Sequence, residues 1–152
     1  MMGLLMTSCQ SKTERTYAGD YSYNTSGVLN IYAQKDTIHV THTERGSMRV
    51  VPLADEKNKV MIIRTSLEGK VTRLYGTFSG DELVIKPYEY QVNYAEYEGV
   101  VGNLISTKTE TVRVDCEGEV YHSGNDVTIV LTENYTGEHI HASKVMTVAE
   151  KY

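Results

Sequence analysis

Alternation of apolar and polar residues, broken by short turn-forming segments, is the feature that most constrains the fold of this 152-residue chain. From residue 17 onward apolar positions recur every second residue, and no long stretch repeats with the 3.6-residue period of a helix. Residues two apart share one face of a strand, so this pattern predicts half-buried β-strands. The clearest apolar sets are Leu29 and Ile31, Ile38 and Val40, Leu83 and Ile85, and Val127, Ile129 and Leu131.

Turn-forming segments separate the predicted strands, and each contains Gly or Asn, which adopt the positive φ that tight hairpins demand. These predicted turns are 24–27, 44–47, 54–58, 67–70 and 123–126. Residues 76–85 and 118–129 share one hairpin-like pattern, and 19–29 is a looser copy. We therefore predict an all-β domain of about nine or ten antiparallel strands that form a barrel, with a two-layer β-sandwich as the alternative. Residues 91–107 are less regular and could hold a loop or a short helix.

Two further patterns predict parts of the core. The run 60–63 is apolar at every position, which predicts a strand covered on both faces. Cys116 alternates with Val112 and Val114, so we expect a buried thiol that packs as a small apolar group. We predict no catalytic role for it.

Composition excludes several classes of function. The net charge of −5 and the scattered Lys and Arg residues argue against nucleic-acid binding, which needs a basic surface. The chain has no nucleophile elbow, no P-loop and no dinucleotide-binding fingerprint. No later stretch has the roughly 18 apolar residues of a membrane-spanning helix. These observations favour a protein that is not an enzyme and uses no cofactor.

The first residues resemble the lipobox of bacterial lipoproteins: an apolar run over 1–8 ends in two small residues before Cys9. The resemblance implies cleavage before Cys9, attachment of lipid to its sulfur, a polar tether over 9–16 and a single β domain over 17–152. The alternative is an apolar first strand or helix with an incidental cysteine. Gln10 is not the Asp that favours inner-membrane retention, so the resemblance implies a location in the bacterial cell envelope, at the outer membrane.

Together, the lipobox-like segment, the tether and the glycine-punctuated strands resemble the small calycin or lipocalin-like lipoproteins of Bacteroidetes-type bacteria. Gly19-Asp20-Tyr21 is similar to the lipocalin Gly-x-Trp element at the first strand, with Tyr in place of Trp. The resemblance implies a barrel with an internal cavity and implies no particular ligand.

The densest aromatic group comprises Tyr88, Tyr90, Tyr94 and Tyr97. In a strand, the first three share one face, and such rigid amphipathic rings make good contact surfaces for a ligand or partner. The alternative is ordinary packing of strand tyrosines over a barrel rim. His139 and His141 have the spacing of metal ligands on a strand, but we interpret them as polar surface residues and predict no metal site.

The leading hypothesis is a membrane-anchored, non-catalytic lipocalin-like binding protein for a small hydrophobic or aromatic ligand. The rival hypothesis is an envelope interaction protein whose barrel is filled by its own side chains and whose surface binds a protein or a glycan. An internal cavity would distinguish the two.

Overall fold

The computed structural model describes residues 16–32, 37–98 and 103–152. In these residues one antiparallel sheet contains all the regular elements. Its strands are β1 (Gly19–Tyr32), β2 (Thr37–Pro52), β3 (Lys59–Ser66), β4 (Val71–Ser79), β5 (Glu82–Ile85), β6 (Tyr88–Glu98), β7 (Asn103–Ser123), β8 (Asp126–Thr136) and β9 (Ile140–Lys151). The order is β5-β4-β3-β2-β1-β9-β8-β7-β6, and β5 also pairs with β7, so the sheet closes into a ring. The all-β antiparallel prediction is confirmed, and the sandwich alternative is not observed.

The ring is complete at one end only. β7 pairs with β5 through residues 117–119 and with β6 through residues 103–114. β2 pairs with β1 along almost its whole length, but it pairs with β3 only from Gly46 onward. Consequently the outer edges of β6 and of the first half of β2 have no neighbouring strand within the described residues. A cleft opens between these two edges.

Inward-facing residues fill the closed end of the ring. The predicted apolar sets on β5 and β8 are buried as expected, and so are Leu29 and Ile31. The predicted turn 123–126 and the matching hairpin in 76–85 are confirmed, because Gly124 and Gly80 adopt φ values of 61° and 62°. Turns also lie at the predicted segments 54–58 and 67–70. The hydrophobic core is thus positioned by the alternation that the sequence displays.

Two predicted turns, 24–27 and 44–47, are wrong: both lie inside long strands. Their glycines permit a close approach of two strands. A Cβ on Gly46 would lie 2.0 Å from the carbonyl oxygen of Thr65, and one on Gly27 would lie 2.8 Å from Cγ2 of Val145. Only a residue without a side chain lets β2 continue past the end of β3 at this point.

Within 91–107, where a loop or a short helix was possible, the described residues 91–98 and 103–107 belong to β6 and β7, and 99–102 lie outside the described residues. Likewise, the run 60–63 is not covered on both faces. Val60 and Ile62 are buried, whereas Met61 and Ile63 are half-buried on the outside of the single sheet. Cys116 is buried as predicted, and burial raises the pKa of its thiol.

Cys9, the signal segment 1–8 and residues 9–15 of the predicted tether lie outside the described residues. Among the residues that are described, no helix is long and apolar enough to cross a membrane. The described domain begins at Thr16, where the backbone carbonyl accepts a hydrogen bond from Nζ of Lys151 at 2.8 Å. The domain boundary near residue 17 stays a prediction.

Candidate functional site

The cleft between β2 and β6 has a volume of about 610 Å³. β2 contributes His42 and Glu44, and β6 contributes Tyr90 and Val92. Lys70, in the turn between β3 and β4, completes the wall. A volume of this size lies within the roughly 300–1,000 Å³ of small-molecule sites.

The strand period explains why these side chains point inward. His42 and Glu44 continue the inward face that Ile38 and Val40 begin on β2, because side chains two apart point the same way. Gly27 lies directly opposite His42 in the β1–β2 pairing. The space that a side chain at Gly27 would need is filled by Val145.

Glu44 is an ionised acceptor at the centre of the cleft. It accepts hydrogen bonds from the hydroxyls of Tyr23 at 2.6 Å and Tyr90 at 2.5 Å. Burial raises the pKa of Glu44, but these hydrogen bonds and the charges of Arg64 and Lys70 outweigh burial and hold it below its ordinary value. Glu44 therefore carries its charge at neutral pH.

His42 lies among aromatic rings. Its ring centroid is 6.0 Å from that of Tyr90 and 5.9 Å from that of Tyr135, which are 5.6 Å from each other. Burial lowers the pKa of His42, so its imidazole is neutral at pH 7. Among the described residues, neither Nε2 of His42 nor the hydroxyl of Tyr135 has a hydrogen-bond partner, although both atoms are buried. Such atoms are costly when they stay unpaired. Of the two residues, only His42 lines the cleft.

Lys70 closes one side of the cleft. Its ammonium lies 3.6 Å from the centroid of the Tyr90 ring and donates a hydrogen bond to the carbonyl oxygen of Gln91. Burial lowers the pKa of Lys70, and the carboxylate of Glu44 opposes that shift. The cation therefore holds the Tyr90 ring from the side that faces the cleft.

Beneath the cleft, the ring interior contains a buried ion pair. Nη1 of Arg64 lies 2.8 Å from Oε1 of Glu133, and the two side chains are 1% and 0% exposed. Glu133 also accepts hydrogen bonds from the hydroxyls of Thr147, at 2.9 Å, and Tyr88. The hydroxyls of Thr25 and Thr147 lie 2.6 Å apart and extend the network toward the cleft. The floor of the site is thus an internal ion pair with a hydroxyl network, in which Nε of Arg64 has no hydrogen-bond partner among the described residues.

The structure places the predicted tyrosines on the inward face of β6. Tyr88, Tyr90 and Tyr94 share that face, as the strand period predicted, and the side chain of Tyr97 lies outside the described residues. Tyr90 is only 4% exposed, because its ring belongs to the core as well as to the cleft wall. Tyr88 and Tyr94 are half-buried and pack against the core.

His139 and His141, the two histidines considered as metal ligands, contact different residues. His139 bonds to Glu110 through Nδ1 at 2.8 Å, and the His141 ring lies 5.1 Å from the Tyr32 ring. Across 16–32, 37–98 and 103–152, no group of three His, Cys, Asp or Glu residues could hold a metal ion.

Sequence reasoning missed His42, Glu44 and Lys70, as well as the pair Arg64 and Glu133. A signal for the pair was present: Arg64 alternates with Val60 and Ile62, and Glu133 alternates with Ile129 and Leu131. A charged residue in register with a buried face indicates a paired interior charge. Each of the missed residues lies far along the chain from its partners.

In chemical terms, the cleft offers the half-buried imidazole ring of His42, the carboxylate of Glu44 and the ammonium of Lys70. These groups can stack on a ring and form hydrogen bonds at its edge. No protein-family model matches the sequence, and a comparison with curated proteins finds no match.

The lowered pKa of Glu44 makes part of the stability depend on pH. Because the carboxylate is stabilised in the folded state, its contribution is complete above its ordinary pKa of 4.5 and disappears as the pH falls below that value. Glu44→Gln removes the titrating group. The unfolding free energy of this variant should therefore fall less steeply than that of the wild type as the pH is lowered. Urea unfolding at a series of acidic pH values measures the difference, and parallel curves for the two proteins would contradict it.

Proposed function

We propose that this protein is a non-catalytic, lipid-anchored binding protein whose cleft takes a small aromatic ligand with hydrogen-bonding groups at its edge. The observation that carries the proposal is the open cleft of about 610 Å³ in an otherwise filled ring. Aromatic rings with few polar groups at defined positions are typical of small-molecule sites.

The lining favours an aromatic ligand over an aliphatic one. His42 is half-buried and presents its ring to the cleft, whereas Tyr90 and Val92 line it with side chains that are almost fully buried. Nε2 of His42 has no hydrogen-bond partner among the described residues, and a small rotation of the imidazole would bring it to a polar atom of the ligand. An aliphatic chain could not offer that hydrogen bond, which is worth about 1 kcal/mol.

The binding proposal can be tested by removing a ring that lines the cleft. His42 is an inward-facing residue of β2 that lines the cleft, and Val40 is on the same strand and face but does not line it. With the aromatic dye 8-anilinonaphthalene-1-sulfonate as probe, His42→Ala should weaken binding about tenfold, which corresponds to about 1.4 kcal/mol. Titration calorimetry measures both affinities. Equal binding by His42→Ala and Val40→Ala would overturn the proposal.

The anchor is a separate proposal, supported by the lipobox-like residues before Cys9. Acylation at one cysteine would tether the domain to a membrane rather than span it. Cys9→Ala in the full-length gene should abolish acylation and move the protein from the detergent phase to the aqueous phase. Cys116→Ala is the matched control and should leave the partitioning unchanged. Retention of the Cys9→Ala protein in the detergent phase would contradict the anchor.

A further inference from the structure

Two strand edges at the mouth of the ring have free backbone groups. On β2, the last residue paired with β3 is Gly46, and the amide of Leu67 then bonds to the carbonyl of Arg45 at 2.9 Å. Toward the start of β2, pairing continues on the β1 side only. The backbone of 37–44 therefore has one bonded side and one open side.

β6 has the same arrangement on the other side of the cleft. It pairs with β7 along its length, and the strand that could have covered its other edge, β4, pairs with β5 instead. The pairing of β4 with β5 ends near Tyr75, whose carbonyl accepts a hydrogen bond from the amide of Lys86 at 2.9 Å. Within the described part of β6, the Gln91 carbonyl on this edge is bonded by the side chain of Lys70.

The strand period identifies which backbone groups face the gap. In an antiparallel strand the N–H and C=O of one residue point to the same side, and the side alternates along the chain. Because Arg45 and Gln91 direct their carbonyls away from β1 and β7, the odd-numbered residues Thr41, Thr43 and Asn93 do so as well. No described strand pairs with these donors and acceptors, which come from both walls of one cleft.

From these edges we infer that the cleft binds an extended peptide segment, which adds a strand between β2 and β6 and extends the ring. Free edges are templates for strand pairing, and closed barrels otherwise remove them. Peptide recognition by strand addition uses main-chain hydrogen bonds for affinity and alternate side chains for specificity. The inference goes beyond the proposed function, because it rests on the backbone edges rather than on the side chains of the cleft.

The surroundings indicate an uncharged peptide with apolar residues at alternate positions. Lining charges balance, with Glu44 and Glu68 against Arg45 and Lys70, so a charged strand gains nothing overall. Two apolar side chains on the inward face of β2 are left open at the mouth. They are the inward-facing Ile38 and Val40, which are 38% and 41% exposed. A free peptide strand has two hydrogen-bonding edges, one for each wall, whereas the edge strand of a second intact ring offers only one.

Hydrogen exchange followed by nuclear magnetic resonance tests the edges directly. In the free protein the amides of Thr41, Thr43 and Asn93 should exchange quickly, while those of His42 and Glu44, bonded to β1, are protected. Peptides selected from a phage-displayed random linear library should show period-two apolar alternation and should slow exchange at the three edge amides. Binding that leaves those amides unprotected, or edge amides already protected in the free protein, would overturn the inference.

Substitutions at one edge residue provide the matched control. Thr43→Pro removes the edge donor, and a proline is tolerated where the N–H of an edge strand faces solvent. This substitution should weaken the binding of the selected peptide about tenfold, which is the effect of losing one or two hydrogen bonds. The Thr43→Val protein keeps the amide and should bind the peptide as tightly as the wild type. Equal losses for both variants would overturn strand addition, even if the dye still binds and the proposed function stands.

Discussion

Replacing Glu133 by glutamine is expected to lower the free energy of unfolding by about 3–5 kcal/mol, because the Arg64 guanidinium would remain buried without a counter-charge. The two side chains are almost fully buried, and their N–O distance is 2.8 Å. Glutamine has nearly the same shape as glutamate, so the loss would report on charge rather than on packing. Urea unfolding of the two proteins measures it.

A surface pair of the same length provides the control. Nε of Arg49 lies 2.8 Å from Oδ1 of Asp20, but these side chains are 65% and 55% exposed. Asp20→Asn should therefore change the unfolding free energy by no more than about 1 kcal/mol, as for other solvent-exposed pairs. Comparable losses for Asp20→Asn and Glu133→Gln would contradict the effect assigned to burial.

Removing both partners together should be far less harmful than removing one. In the double variant Arg64→Met, Glu133→Leu, no charge is left unpaired, and apolar side chains of similar size fill the space. Most of the lost stability should return. A double variant less stable than Glu133→Gln alone would show that the polar network, including the hydroxyls of Thr147 and Tyr88, contributes more than the charge balance.

The second large effect is expected in the apolar core. Ile62→Ala should cost about 2–5 kcal/mol, the range for removing a large buried aliphatic side chain, and Ile129→Ala should behave alike. Both side chains are 0% exposed on facing parts of the ring. The loss combines transfer free energy with the cavity left behind.

The neighbouring isoleucine makes the matched comparison. Ile63 follows Ile62 directly but points outward and is half-buried. Ile63→Ala should therefore cost clearly less than Ile62→Ala when both are measured by urea unfolding. Equal costs, or a loss below about 0.5 kcal/mol at both Ile62 and Ile129, would contradict the assigned strand faces.

Alternation predicted the strand content well, because the burial of one face leaves a period of two in the sequence. It placed Leu83 with Ile85 and Ile129 with Leu131 on buried faces, as the structure confirms. Alternation is a local property, however, and pairing is not. Nothing within β2 alone shows that its partner β3 ends at Ser66 and leaves the cleft.

Glycine was the main source of error in locating turns. Gly80 and Gly124 serve positive φ in hairpins, whereas Gly27 and Gly46 lie within strands and serve close packing. The two roles are indistinguishable from local composition, since both remove a side chain. Only the neighbouring strand, which presents the Thr65 carbonyl to Gly46, decides between them.

The candidate site was predictable only in part. The tyrosines of β6 stood out because they are dense in the sequence, and Tyr90 does line the cleft. Its partner Glu44 is 46 residues away along the chain, and Arg64 is separated from Glu133 by 69 residues. Contacts of this range depend on ring closure, which a single sequence does not display.

The proposed binding function is tested most directly by native mass spectrometry of the full-length protein purified gently from its own cells. The proposal predicts a second species, heavier by the mass of one small aromatic molecule, that is released on collisional activation. The same preparation of His42→Ala, which lacks the imidazole ring in the cleft, should lack this species. A wild-type protein that carries no such mass, or a His42→Ala protein that retains it, would contradict ligand binding in the cleft.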